Sequence, residues 1–395
     1  SHPDLPELAQ TPPMGWNSWN PFGKNVSEQV IRETADAMVS SGFKDAGYTY
    51  IIIDDFWQGT RDTATGKLNF NSERFPSGIK ALADYVHSKG LKFGIYSDAG
   101  TLTCGDQPAS FGYEENDARM FAEWGVDYLK YDYCYCPDYG SENNDYKMAI
   151  ARYQTMGNAL QATGRPIVYS ICEGGPRSPW LWGKEVGGHL WRVSYDVGDK
   201  WDEPRNEHSQ IGILTAIDVM CDLERFSGPG AWNDPDMLVI GLSNSGYIKG
   251  GGCTPEEYRT QMSMWCMFSA PLMLGCPVSN MTDETKSILL NKDIIAIDQD
   301  PLGKQAFRVW RRDCVEAWKK PLSNGKIAMA FLNRNSKETS VSVPQEQLEL
   351  DEKASYEAYD VWLHKTVNQP AGRMEVTMKS HGTRVFVLSS VTNKI

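Results

Sequence analysis

Short apolar runs alternate with amphipathic segments along the first three quarters of the chain. The run "YTYIIIDD" (48–55) precedes the helical pattern "IKALADYVHSKG" (79–90), and "LKFGIYSD" (91–98) precedes "NDARMFAEWG" (116–125). An earlier amphipathic stretch, from about Ser27 to Ser41, follows "TPPMGWN". Further β-rich runs are "VDYLKYD", "RPIVYSI", "HLWRVSYD", "GPGAWNDPDM" and "APLMLG", and further helical patterns are "YKMAIARYQTMGNALQATG", "EEYRTQMSMWCMF" and "DETKSILLNKDIIAI". The pattern therefore predicts eight strands alternating with helices.

Eight β/α units within about 300 residues favour an α/β fold, a closed (β/α)8 TIM barrel, because the helices of β-α-β crossovers cover both faces of a parallel sheet. A doubly wound open sheet is the alternative. No GxGxxG follows the first strand, so a dinucleotide crevice has no support.

Beyond "DQDPLGKQ" the chain changes to short alternating segments such as "KIAMAFLNR", "TSVSVP" and "TRVFVLSS". These segments lack a helical period between them and are typical of an antiparallel β-sandwich. We therefore predict two domains, a catalytic barrel over residues 10–301 and a C-terminal antiparallel β domain over residues 302–395.

The charge balance narrows the class of partner. The chain carries 39 Lys and Arg against 51 Asp and Glu, a formal net charge of -12. This charge repels phosphate backbones and anionic lipids, so we expect neither a nucleic acid nor a membrane as partner. The nine cysteines show no repeated CxxC, which argues against a dedicated zinc module.

Carboxylates follow the predicted strands at the points where the strands end. A single Asp after a strand is explained equally well as the N-cap of the next helix. Grouped carboxylates, by contrast, repel one another and raise one another's pKa, and proteins usually keep such a group for function. In a β/α barrel the C-terminal strand ends form the mouth in which active sites lie, so we expect these acids to converge on one pocket. They are Asp54, Asp55, Asp98, Asp132, Asp196, Asp234 and Asp236.

Two chemistries use such a mouth. A hard divalent cation would take oxygen ligands from residues such as Asp54, Asp55 and Asp236. Lys130, only two residues before Asp132, argues against a bound cation. We therefore expect no metal and no cofactor, and we favour the second chemistry, glycoside hydrolysis by a pair of carboxylates.

Alternation along a strand places Lys130 and Asp132 on the same face. An ammonium beside Asp132 would keep that carboxylate ionised and nucleophilic, while a second acid without such a partner would hold its proton. Aromatic and polar side chains near the acids suit a sugar, whose C–H face stacks on Trp or Tyr while its hydroxyls bind polar groups. Trp19, Tyr96 and Arg192 are candidates for these tasks, although each taken alone is better explained as structural.

Several motifs together resemble family 27 glycoside hydrolases, the family of α-galactosidases and α-N-acetylgalactosaminidases. The resemblance covers about residues 10 to 310 and is carried by "TPPMGWNSWN", "IDDFW", "RFPSGIKALADYVHSKGLKFGIYSD", "YLKYDYC", "WNDPDMLVIG" and "DIIAIDQDPLGKQ". It implies a (β/α)8 barrel with a C-terminal β domain and retaining hydrolysis of terminal α-linked galactose in oligo- or polysaccharides, without a cofactor.

The resemblance also assigns roles to residues of this chain. It places the nucleophile on Asp132 of "KYDYC" and the acid/base on Asp196 of "WRVSYDVGD". The "DD" pair favours galactose over β-L-arabinopyranose. The implied sugar contacts are Trp19, Asp54, Asp55, Tyr96, Cys104, Lys130, Arg192 and Asp236, with Glu173 as an acceptor for the 2-hydroxyl.

A disulfide between Cys104 and Cys134, next to the nucleophile, is implied by the same resemblance. It suggests an oxidising setting, so we expect a secreted, periplasmic or lysosome-like protein. Cys136 and most other cysteines are expected to be buried thiols. An oligomer is possible.

One stretch departs from the family pattern. Where α-galactosidases commonly read Cys-Glu-Trp after the fifth strand, this chain reads "ICEGGPRSPW". Gly174 in place of Trp removes bulk near the sugar's 2-position and would admit an acetamido group. Alternatively, Gly174 and Gly175 shape a turn and another loop supplies the wall. The principal expectation is an α-galactosidase. The alternatives are an α-N-acetylgalactosaminidase, then a β-L-arabinopyranosidase, and outside the enzymes a carbohydrate-binding protein.

Overall fold

The computed structural model describes residues 5–137, 145–205 and 210–391. Its centre is a sheet of eight parallel strands, which lie in the eight predicted runs except that the fifth of them extends one residue further, to Cys172. Their bounds are β1 Met14–Asn17, β2 Tyr50–Ile52, β5 Lys92–Asp98, β6 Tyr128–Asp132, β7 Val168–Cys172, β8 Leu190–Arg192, β9 Trp232–Asp234 and β10 Leu272–Leu274. The intervening β3 (Gln58–Arg61) and β4 (Leu68–Phe70) form a hairpin outside this sheet.

The sheet closes on itself. Its order is β10-β1-β2-β5-β6-β7-β8-β9, and a parallel bridge between Leu238, just after β9, and Leu274 of β10 joins the two ends. The predicted (β/α)8 barrel is therefore confirmed, and the open-sheet alternative is wrong. The hairpin was not predicted, because its polar segment "QGTRDTATGKLNF" alternates too weakly to be distinguished from a loop.

Helices cover the outside of the barrel, as the amphipathic patterns predict. They are α1 Trp19–Phe22, α2 Glu28–Ser40, α3 Phe43–Ala46, α4 Ile79–Ser88, α5 Glu114–Trp124, α6 Asp145–Ala162, α7 Ile213–Met220, α8 Pro255–Met267, α9 Asp283–Leu289 and α10 Lys292–Asp298. Short 3₁₀ turns occupy Gly23–Asn25, Pro179–Leu181, Glu224–Phe226 and Gln345–Leu348.

Side-chain caps fix where several helices begin. Thr254 and Glu257 form a reciprocal capping box at the start of α8, with Pro255 in the first turn. The predicted helix "DETKSILLNKDIIAI" is in fact two helices, because the side chain of Asn291 accepts hydrogen bonds from the amides of Asp293 and Ile294 and starts α10.

The C-terminal region is antiparallel β structure, as predicted. Six strands pair in the order β11-β12-β13-β18-β15-β16, and β14 pairs with β17. The bounds are β11 Phe307–Arg312, β12 Val315–Pro321, β13 Ile327–Asn333, β14 Thr339–Pro344, β15 Tyr356–Asp360, β16 Lys365–Gln369, β17 Arg373–Met378 and β18 Thr383–Ser390. The last barrel helix ends at Asp298, so the boundary predicted near Leu302 falls between α10 and β11.

The barrel and the β domain share a hydrophobic interior. The larger cluster of buried residues contains Trp318, Leu332 and Val385 of the β domain together with the barrel's outer helices. Phe331 and Val343 belong to a separate cluster inside the β domain. Among the described helices, none is at once long enough and apolar enough to cross a bilayer.

Candidate active site

A narrow pocket of about 80 Å³ lies at the C-terminal ends of the barrel strands. We call it the inner pocket. It opens into a vestibule of about 1030 Å³, and Asp132, Arg192 and Asp196 line both spaces. The inner pocket is lined by Trp19, Asn20, Asp54, Asp55, Tyr96, Cys104, Lys130, Asp132, Cys172, Arg192, Asp196, Asp236 and Met237. The structure thus brings together ten residues that the sequence singled out.

Asp132, the last residue of β6, has both oxygens engaged. Oδ2 accepts a hydrogen bond of 2.6 Å from the hydroxyl of Tyr96, and Oδ1 accepts one of 2.9 Å from the amide of Tyr133. Burial raises the pKa of Asp132, while the Tyr96 bond and then the charge of Lys130 act in the opposite direction. These contacts fix the direction in which the carboxylate points.

Lys130 has a different direct partner from the one predicted. Its ammonium donates to Oδ2 of Asp54 over 2.7 Å, with both side chains largely buried. The sequence pattern shows which side chains share a strand face, but it does not show which side chains lie opposite them across the barrel. The residue opposite Lys130 is Asp54, in the loop after β2. Lys130 favours the ionised form of Asp132 through its charge. The nearest stabilising contact of Asp132 is the hydroxyl of Tyr96.

The Asp pair after β2 is held by the backbone and by its neighbours. Asp54 also accepts from the side-chain amide of Asn17 over 3.0 Å. Asp55 accepts from the amides of Phe56 and Gly105, and burial raises its pKa to about 6. Both carboxylates line the inner pocket, where two adjacent acceptors suit adjacent hydroxyls of a sugar.

Asp196 lies in the loop after β8 and is not free of a cationic partner, contrary to expectation. Arg192 donates to it over 2.9 Å and also lies 3.3 Å from Asp236. Burial raises the pKa of Asp196, but the charge of Arg192 and then that of Lys130 outweigh this and hold the pKa below its usual range. The Asp196 side chain is 65 % exposed, so solvent screens its pairing with Arg192.

Asp236 completes this group. Its Oδ2 accepts from the amide of Val197 over 2.8 Å, which ties the loop that carries Asp196 to the loop after β9. Asp236 itself has a φ of +80°, an uncommon conformation for a residue with a side chain. Burial raises its pKa to about 6, against the opposing charge of Arg192.

Cys104 and Cys134 form the expected disulfide, close to the carboxylate of Asp132. Asp98 accepts hydrogen bonds from the amides of Gly100 and Cys134 and so braces the same loop. Within the described part of the chain, the one cluster with metal-ligand spacing consists of Asp98, Cys104, Asp132 and Cys134. The disulfide takes both sulfurs, which removes the thiolate donors that such a site needs. Cys136, Cys172, Cys266 and Cys276 are buried free thiols.

Glu173 is engaged within its own loop. Its oxygens accept from the amides of Gly175 and Arg177, and the Arg177 guanidinium donates to it over 3.0 Å. The carboxylate is fully buried. It lines the vestibule rather than the inner pocket, and its hydrogen bonds brace the turn at Gly174 and Gly175. Its expected contact with a sugar's 2-hydroxyl stays a prediction.

Three residues of the inner pocket were not predicted. Asn20 and Met237 follow strands without a charge to mark them, and Cys172 ends β7 inside an apolar run. The thiol of Cys172 accepts from Arg192 over 3.6 Å. The available signal for Cys172 was its position at a strand end, but it carries no charge to mark it as a candidate.

Comparison with known proteins gives the family. The family model described as alpha galactosidase A matches residues 11–300, and the model of the alpha galactosidase C-terminal beta sandwich domain matches residues 312–388. This chain belongs to the alpha galactosidase A family. It is 46 % identical to "Alpha-galactosidase 3" of Arabidopsis thaliana over 98 % of this chain and 83 % of that protein.

Solved structures of the family share the architecture. Alpha-galactosidase I from Mortierella vinacea is 37 % identical, with a TM-score of 0.90 over 96 % of this chain and 97 % of that one. The alpha-galactosidase from Saccharomyces cerevisiae solved with raffinose is 30 % identical, with a TM-score of 0.89 over 97 % of this chain and 98 % of that one.

Proposed function

We propose that this protein is an exo-acting retaining α-galactosidase, which releases terminal non-reducing α-D-galactose from oligo- or polysaccharides. The observation that carries the proposal is that Asp132 and Asp196 line one pocket that also holds Asp54, Asp55 and Lys130. Two carboxylates of this kind hydrolyse a glycoside with retention when one attacks the anomeric carbon and the other transfers protons. Family membership supplies the second support.

In the proposed reaction Asp132 attacks the anomeric carbon while Asp196 protonates the oxygen that leaves with the rest of the substrate. A galactosyl ester on Asp132 results. Asp196, now ionised, deprotonates a water molecule whose oxygen displaces Asp132 and releases galactose with its α configuration retained. Tyr96, which donates to Asp132, orients the nucleophile.

Asp196 must carry a proton for the first step, although Arg192 lowers its pKa. A sugar in the inner pocket would exclude water from the exposed carboxylate and offer its hydroxyl oxygens to the Arg192 guanidinium. Both changes raise the pKa of Asp196, so substrate binding itself prepares the proton donor.

The arrangement of a narrow inner pocket behind a much larger vestibule supports exo action, since a terminal sugar at the inner end leaves the vestibule for the remainder of the substrate. The disulfide between Cys104 and Cys134 supports a secreted, periplasmic or lysosome-like location, where such bonds persist.

The proposal is tested by kcat/KM on the p-nitrophenyl glycosides of α-galactose, α-N-acetylgalactosamine and β-L-arabinopyranose, because specificity is a ratio of these values. We expect α-galactose to be preferred by at least tenfold, with activity unchanged by EDTA. A preference for either other sugar changes the assigned substrate, and galactose binding without hydrolysis of any galactoside makes the protein a lectin.

The variant Asp132→Asn tests the mechanism. It should be folded and lack turnover, because the amide is a poor nucleophile. Near-normal turnover in this variant is incompatible with the assigned nucleophile.

A further inference from the structure

Tyr195 lies immediately before Asp196 and has no part in the reaction described above. Its half-buried ring lines the vestibule together with Asp132, Asp196 and Gly174. It does not line the inner pocket. The ring is therefore beside the proposed proton donor, on the side through which the departing part of the substrate leaves.

Arg205 holds this ring in place. Its guanidinium lies 4.2 Å from the ring centre, and it also donates a hydrogen bond to the Tyr195 hydroxyl. A ring fixed in this way loses little further rotamer freedom when a ligand stacks on it, so less of the stacking energy is spent on ordering.

The glycine pair after β7 lies beside the ring. A Cβ at Gly174 would lie 3.9 Å from Cδ1 and Cε1 of Tyr195, with Pro176 as its other neighbour. A Cβ at Gly175 would come within 2.2 Å of the carbonyl oxygen of Val193, and both glycines have positive φ, +89° and +99°. Backbone conformation thus favours glycine at both positions and close approach requires it at Gly175, while the loop after β8 places an aromatic ring beside the pair.

We propose that Tyr195 is the stacking platform of a leaving-group subsite, and that Arg205 positions it. Resting on the function proposed above, this inference names the preferred substrates as α-galactosides whose leaving group is a neutral pyranose. The oxygen that Asp196 protonates joins the galactose to the leaving sugar. The residue next to Asp196 is therefore placed to meet the C–H face of that sugar, a contact that aromatic rings favour.

Two substrates that differ in the leaving group test the platform. A disaccharide of galactose α-linked to glucose needs the subsite, whereas α-galactosyl fluoride has no ring to stack. The quantity to measure is kcat/KM, because it reports all steps up to and including the first irreversible one, in which the leaving group departs. Tyr195→Ala should lower kcat/KM on the disaccharide about fivefold to tenfold, the worth of one aromatic contact, and change it less than about twofold on the fluoride.

Tyr195→Phe is the matched comparison, since it keeps the ring and the Arg205 guanidinium over it and removes only the hydroxyl; its loss of kcat/KM on the disaccharide should be smaller than that of Tyr195→Ala. The fluoride rate shows in each variant that the fold and inner pocket are intact.

Two results overturn the platform while leaving the proposed function in place. Equal losses on both substrates in Tyr195→Ala would show that the ring supports the galactose pocket. An unchanged ratio accompanied by new hydrolysis of α-N-acetylgalactosaminides would show that Tyr195 is a wall at the sugar's 2-position. By contrast, no hydrolysis of either galactoside by the unmodified protein overturns the proposed function itself, and the platform with it.

Discussion

The hydroxyl of Tyr96 donates a 2.6 Å hydrogen bond to Oδ2 of Asp132 across two adjacent strands of the barrel. In the parallel register Tyr96 is paired with Lys130, so Tyr96 and Lys130 lie side by side and Asp132 is one alternation further along the strand. The nucleophile proposed here is thus oriented by one neighbour and stabilised at longer range by the charge of another.

Tyr96→Phe removes that bond without changing the ring. Because hydrogen bonds to charged groups are worth about 1.5–3 kcal/mol, we expect kcat/KM on an α-galactoside to fall about tenfold or more. The Tyr96 bond lowers the pKa of Asp132, so its loss raises that pKa, and the acidic limb of the kcat/KM profile should move to higher pH. An acidic limb that stays in place, measured alongside circular dichroism to verify folding, would contradict the assigned role.

Lys130→Met leaves the buried carboxylate of Asp54 without its cation. Removing one partner of a buried ion pair typically costs about 3–5 kcal/mol, so the free energy of unfolding in urea should fall by that order. The double variant Lys130→Met with Asp54→Asn removes both charges and should regain much of this stability. Neither variant should hydrolyse galactosides at a measurable rate, since both lose groups of the inner pocket. A double variant no more stable than the single one would show that the pair is not coupled.

Asp55 makes stability depend on pH in a defined direction. Its folded pKa of about 6 lies above the ordinary value of 3.8 for an Asp side chain, so between these values the folded chain holds a proton that the unfolded chain has released. The contribution of Asp55 to stability is full below pH 3.8 and is lost as pH rises through about 6.

Asp55→Asn removes this titration. The free energy of unfolding of the variant minus that of the unmodified protein should therefore rise by up to about 3 kcal/mol between pH 4 and pH 7. This rise is expected whatever the difference between the two proteins at pH 4. Urea unfolding at a series of pH values checks this. A stability difference that is constant across the series would mean that Asp55 titrates near its ordinary pKa.

The eight strands and most helices were predictable because each has a clear local period. Strand-end placement likewise brought Asp54, Asp132 and Asp236 to one mouth. The partners across that mouth were not predictable. Lys130 of β6 reaches Asp54, which follows β2, across the interior of the barrel, and no spacing along one strand encodes that contact. Arg192 and Asp196 are only four residues apart, but they meet because the loop after β8 turns the carboxylate back towards the guanidinium, which strand alternation does not predict.

The loop after β7 shows the same limit. Its sequence left two interpretations of Gly174 open, and the sequence alone reveals neither the positive φ of this glycine nor the ring of Tyr195, from another loop, that lies beside it. The hairpin of β3 and β4 and the break between α9 and α10 were missed because polar alternation and a single Asn cap are weak local signals.

Trp318 in β12 connects the β domain to the barrel. It is 1 % exposed, lies in the cluster shared with the barrel, and meets Phe268, just after α8, with ring centres 5.3 Å apart. Trp318→Ala should lower the free energy of unfolding by about 3–5 kcal/mol, the usual cost of removing a buried large aromatic side chain. Trp310 in β11 is half-buried and packs on the separate cluster of the β domain, so Trp310→Ala is a matched control with a smaller expected loss.

The shared interior further predicts that residues 10–301 alone do not fold stably. Without the β domain, the barrel would lose its apolar contacts with Trp318, Leu332 and Val385, and the barrel surface that these residues cover would be exposed to water. The two parts should therefore unfold in one cooperative transition, measured by calorimetry and by tryptophan fluorescence together. Two separate transitions, with the barrel stable after Trp318→Ala, would show that the β domain is an independent appendage rather than a brace for the catalytic barrel.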